Sequence, residues 1–191
     1  MWQSDEDRNI NPDLNAEIRR DAMVLGLSLP AFTLVHVIIS LIGIAAGLVV
    51  MFGLLGSKSM PGLTAIFLLF TILTSATGFL FPFKELLPSH IIAIISLVLL
   101  AIACLALYGM KLAGVWRPVY IVTAMISLYF NVFVLVIQSF LKVPALAALA
   151  PAVAPAPPGG PVFAVVQGLV LVFFVVLTVG AWRRFKPMAF A

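Results

Sequence analysis

Two imidazoles and three amides are the groups in this chain whose chemistry and spacing could serve a ligand. His36 lies about one turn inside a first long apolar run, and His90 opens a third. Gln138 falls in the last turn of a fourth run and Gln167 in the second turn of a fifth. If each run is one helical crossing, alternating direction carries all four to the same membrane face, with Asn131 two turns deeper and Ser40 and Ser89 as further lining. Such a pocket suits two chemistries. Neutral imidazole nitrogens from two helices can ligate a haem inside a bundle, with His36 and His90 as axial ligands. Alternatively, His and Gln can hydrogen-bond the head group of a quinone or lipid. Two lone histidines without ligand spacing read most simply as satisfied structural groups, so no cofactor is assigned.

Other chemistries find no residues. Cys104 is the single cysteine, which excludes an intrachain disulfide, and a thiol on an apolar helix reads as packing. The chain has no Cys/His metal pattern, glycine-rich phosphate loop, nucleophile elbow or carboxylate pair, and Glu85 stands alone at an interface. The expectation is a protein without catalytic residues and without a metal site. Proton-coupled transporters usually carry intramembrane Asp or Glu, and five spans do not divide into equal inverted repeats, so neither pump nor transporter is supported. A channel or small-solute permease would need a wet path joining Asn131, Ser127 and Thr178.

The elements that must position these groups follow from composition. Of 191 residues, 63% are hydrophobic and 9% charged, against roughly 45–50% and about 25% in soluble proteins. That excludes a soluble enzyme and a disordered tail, and it makes the bilayer the first partner. The sequence predicts an all-α, polytopic transmembrane helical bundle of five spans, from about Ala31 to Leu55, Gly62 to Phe83, His90 to Met110, Arg117 to Leu141 and Val162 to Trp182. Lys58, Lys84, Glu85, Lys111, Arg117 and Lys142 all fall at run boundaries or in connections. Cations so placed are topology signals and do not form the clustered face that nucleic-acid binding needs. With five spans, Arg19, Arg20, Lys84 and Lys142 oppose Lys58, Lys111, Arg117, Arg183, Arg184 and Lys186, which predicts an outside N-terminus and a cytoplasmic basic tail over 183–191.

The spans also carry small-residue stripes. His36, Ser40, Gly43 and Gly47 share one face of the first, with Gly43 and Gly47 in a G-x-x-x-G pair that lets another helix approach closely. Thr71, Thr74, Ser75 and Gly78 repeat the idea in the second, and Tyr120, Thr123, Ser127, Asn131 and Gln138 in the fourth. Helix packing within the chain, with a second copy or with another membrane protein is the plain account of such stripes. The Lys142–Pro161 connection, with six prolines and seven alanines, reads as a surface connector whose first part, Pro144 to Ala150, can form a short interfacial helix. In the 30-residue N-terminal extension, Leu14, Ile18, Ala22 and Leu25 recur at helical spacing after Asn11 and Pro12, which predicts an amphipathic helix at the interface.

Several stretches, taken together, resemble a family of small bacterial inner-membrane proteins: Leu34 to Ile44 (LVHVIISLIGI), Thr74 to Phe83 (TSATGFLFPF), Leu87 to His90 (LPSH), Tyr129 to Gln138 (YFNVFVLVIQ) and Lys142 to Leu146 (KVPAL). The resemblance covers roughly Pro30 to Lys186. It implies a bacterial inner-membrane location, marks His36, His90, Asn131 and Gln138 as motif members, and brings no mechanism. The N-terminal extension and the Ala/Pro stretch after Pro151 depart from the pattern. The leading expectation is a structural or accessory membrane component, followed by a haem- or quinone-binding electron carrier and then a small-solute channel.

Overall fold

A computed structural model describes residues 23–81, 88–150 and 158–186. Hydrocarbon offers no partner to backbone amides, so a chain this apolar closes its hydrogen bonds within helices. The helices are α1 (Leu29–Leu55), α2 (Pro61–Gly78), α3 (Pro88–Cys104), α4 (Trp116–Lys142), the four-residue α5 (Pro144–Ala147) and α6 (Gly160–Arg184). A π-helical turn, Leu105–Gly109, extends α3. With that turn included, five helices are long and apolar enough to cross a membrane, and the molecule is a polytopic transmembrane helical bundle.

Local chemistry sets the helix ends. Proline occupies the first turn of α1, α2, α5 and α6, where its missing N–H costs nothing. Ser57 closes α1 in the left-handed region, at φ 54°. Its N–H bonds Leu54 O at 3.0 Å and that of Lys58 bonds Gly53 O at 2.8 Å, the paired closure usually built on glycine. The wide turn after α3 ends with Leu112 N–H on Ala106 O at 3.0 Å, and Lys111 and Leu112 are both left-handed, at φ 50° and 58°.

Two boundaries differ from the sequence expectation. The second span stops at Gly78 instead of Phe83, because Phe79 and Leu80 close the helix onto Ala76 and Thr77 and Phe81 turns back against Phe32. Leu25 is not helical. With Gly26 it forms the turn of a two-stranded hairpin, β1 (Met23–Val24) and β2 (Leu27–Ser28), both turn residues having the positive φ that a tight hairpin demands. The rest of the expected interfacial helix, through Ala22, lies outside the described residues, as does the connection over 151–157.

α4 is the central element and packs against every other span. Its Tyr120, Ile121, Ala124, Met125 and Leu128 are buried, facing Met51 of α1, Phe67 of α2 and Leu100 of α3 in one core. α1 and α2 share the closest interface in the bundle. A Cβ at Gly43 would stand 3.3 Å from the backbone of Phe70 and Thr71; one at Gly47 would stand 2.6 Å from Leu128 and 2.8 Å from Phe67. Without a hydrophobic drive between helices in lipid, such close backbone approach supplies much of the association.

Candidate functional site

The histidine end is built on the residues that close α2. Thr77 Oγ1 lies 2.7 Å from its own helix carbonyl, Leu73 O, and 2.7 Å from His36 Nδ1 on α1. If the threonine proton goes to Leu73 O, Nδ1–H donates to Thr77 and the lone pair sits on Nε2; if it turns to Nδ1, Nε2 carries the hydrogen. The Phe81 and His36 rings meet in a T-shaped contact, 5.1 Å between centroids at 88°. His90, near the start of α3, is 7% exposed and stacks at a tilt on Phe79, 5.9 Å between centroids. α2 packs between α1 and α3, so the two imidazoles sit against different rings of the same short segment, Phe79 to Phe81.

The remaining members of the expected pocket are dispersed. Ser40 is half-buried and donates to His36 O at 2.7 Å, closing on its own helix. Gln167 is buried on α6 and its Nε2 donates to Phe133 O of α4 at 3.1 Å, which ties the last span to the centre. Asn131 is half-buried with its Nδ2 unpartnered. Gln138 is exposed: Phe140 takes the contact with α6, ring to ring with Phe163 at 5.4 Å, and Gln138 lies about 200° round the helix from it. The side chain of Ser89 lies outside the described ones. Of the small-residue positions, Ser75 is buried and Thr74 donates to Phe70 O, but a Cβ at Gly78 would meet nothing within 4 Å.

Most hydroxyls inside the described spans close on their own helix. Thr33, Ser40, Thr74 and Thr77 each donate to the carbonyl four residues earlier. Thr123, Ser127, Ser139 and Thr178 do the same. A hydroxyl used this way needs no second helix and presents mainly methyl and methylene surface to its neighbours. Thr71 Oγ1 and Ser96 Oγ are buried and have no partner, and Gln167 Oε1 shares that condition.

The opposite end of the bundle holds a feature that polar spacing within the spans does not predict. A recess of about 270 Å³ opens where α1 ends, α2 begins, α3 ends and α4 begins. Lys58 and Lys111 stand at its rim; Tyr120, 2% exposed, and Thr64, 6% exposed, lie at its floor; Leu54 and Leu107 form part of its apolar wall. Phe185, 2% exposed, closes one side. The segment after α6 is pinned there: Arg117 donates to Phe185 O at 2.7 Å, and Lys186 N–H donates to Ser57 Oγ at 2.9 Å. The left-handed turns at Ser57 and at Lys111–Leu112 deliver the two rim lysines, a use of backbone strain often met at ligand sites. No Asp or Glu occurs among the described residues, so none of these cations has a carboxylate counter-charge there.

A sequence signal for this recess does exist. Lys58 and Lys111 fall after spans that run in the same direction, and all seven acidic residues lie at positions 5–21 and 85. Comparison with protein-family models, curated proteins and solved structures finds no match to this chain.

Proposed function

We propose that this chain is a non-catalytic accessory component of a bacterial inner membrane, associating with another membrane protein or with a second copy of itself, its N-terminus outside and its basic tail in the cytoplasm. The observation that carries this reading is the closure of eight span hydroxyls on their own helices, which makes the polar stripes packing surfaces and not the walls of a pathway. α6 adds to it, since Val165, Leu169, Val172 and Val176 leave a broad apolar face outward. The resemblance of the span motifs to small bacterial inner-membrane proteins supports the location. A photo-crosslinking residue at Leu169 or Val172, activated in native membranes, is expected to give one protein adduct of discrete mass. Lipid adducts alone would overturn the accessory reading.

A second reading, an electron carrier ligating haem through His36 and His90, draws on the Thr77 contact, which as an acceptor from Nδ1–H would orient His36 and leave its Nε2 lone pair for iron. It requires a Soret band in the protein purified in mild detergent, lost in both His36→Ala and His90→Ala. A colourless, folded protein removes it.

A further inference from the structure

The recess at the cationic end combines three properties seldom found together unless something anionic completes them. Two lysines share one rim, the described residues supply no carboxylate to either, and the floor beneath is a buried tyrosine hydrogen-bonded to a buried threonine, a pair with one hydroxyl proton left to donate. At about 270 Å³ the space falls just under the roughly 300–1,000 Å³ of whole-ligand pockets, so it takes one compact polar group and leaves the remainder of the ligand outside. The remainder must be apolar, because the recess is walled by Val50, Leu54 and Leu107 and opens at the end of an apolar bundle.

We propose that this recess holds the headgroup phosphate of an anionic glycerophospholipid, with Lys58 and Lys111 as counter-charges, the Tyr120–Thr64 hydroxyl pair as floor donor, and the acyl chains lying along the outer wall of the bundle. Lysine suits this use as a compact charge on a flexible stem, which follows a mobile phosphate without fixed fork geometry. The pinning of Phe185 by Arg117 gives the recess a fixed side wall. This inference rests on the membrane location and is independent of the accessory role.

The test uses the full chain purified in mild detergent and read by native mass spectrometry. It is titrated with phosphatidylglycerol, with phosphatidylcholine, and with phosphatidylglycerol in excess inorganic phosphate. One retained phosphatidylglycerol per chain is expected, in preference to phosphatidylcholine and undisturbed by inorganic phosphate. Lys58→Gln with Lys111→Gln should weaken retention roughly 10- to 30-fold, as expected for two lysines near an anionic headgroup. Tyr120→Phe with Thr64→Val should weaken it less. The charge-matched control Arg183→Gln with Arg184→Gln, on the same face but outside the recess, should leave it within about twofold. Equal losses in the two double charge variants would reduce the effect to diffuse surface attraction and overturn the proposal, as would equal retention of the two lipids. Displacement by inorganic phosphate would assign the recess to free phosphate and overturn the lipid assignment. A thermal unfolding midpoint matching wild type confirms that the glutamine variants, made at exposed positions, are folded.

Discussion

The two ends of this bundle solve the same problem in opposite ways. At the histidine end, most of the polar contacts are made inside the chain, His36 with Thr77, Thr77 with Leu73, Gln167 Nε2 with Phe133, and the atoms left over, Asn131 Nδ2 and Gln167 Oε1, are uncharged. Among the described residues, Lys142 alone brings a cation there, near enough to act electrostatically on His36. The other end carries Lys58, Lys111, Arg117, Arg183, Arg184 and Lys186, the first two at the rim of the recess, with no carboxylate among the described residues there. The difference teaches that the richness of a region in polar side chains is a poor guide to where a ligand belongs. What matters is whether the charges and donors are already answered, and an unanswered charge exerts a stronger demand than a satisfied amide.

Three substitutions would break or sharpen that contrast. The largest effect is expected between the ends, at the seam on which both depend: Gly47→Val forces side-chain atoms into Leu128 and Phe67, and should cost about 1–3 kcal/mol of stability. Denaturant titration of the folded detergent complex reads this directly, and a neutral result would show that the α1–α2–α4 seam can open. Next, Thr77→Val removes the partner of His36 and should cost about 1 kcal/mol. A double-mutant cycle with His36→Ala should return a coupling near 0.6 kcal/mol, and zero coupling would undo the description of that end as internally matched. Smallest is Ser96→Ala, which deletes a buried hydroxyl that has no partner and should change stability by less than about 0.5 kcal/mol or raise it slightly. A loss above that would reveal a polar partner for Ser96 inside the bundle.

The spans were legible in the amino-acid sequence because hydrocarbon imposes a one-dimensional rule: about 20 apolar residues bounded by charge and breakers. Gly43 and Gly47 were legible for a similar reason, since a four-residue repeat of glycine is a local pattern whose geometric consequence is direct. The end of α2 was not, because Phe79, Leu80 and Phe81 are apolar whether they continue a helix or turn back over it, and only the contact of Phe81 with Phe32 and His36 decides. Depth counting carries no azimuth, which is why Gln138, expected in the polar pocket, is exposed. The recess is hidden in the sequence because its lining comes from separate helix ends and is largely apolar, while its two lysines have the placement of topology signals.

The confinement of charge to the helix ends has an electrical consequence. α1, at 27 residues, is about 40 Å long, so the six cations of one face are held away from the other by the full thickness of an insulator. In an energised membrane each of them would gain or lose about 2.3 kcal/mol per 100 mV on exchanging sides. Packing decides what shape this chain takes, but the voltage across the membrane acts on its direction. A cell that holds its potential keeps the two orientations of an identical fold unequal in energy long after insertion is finished.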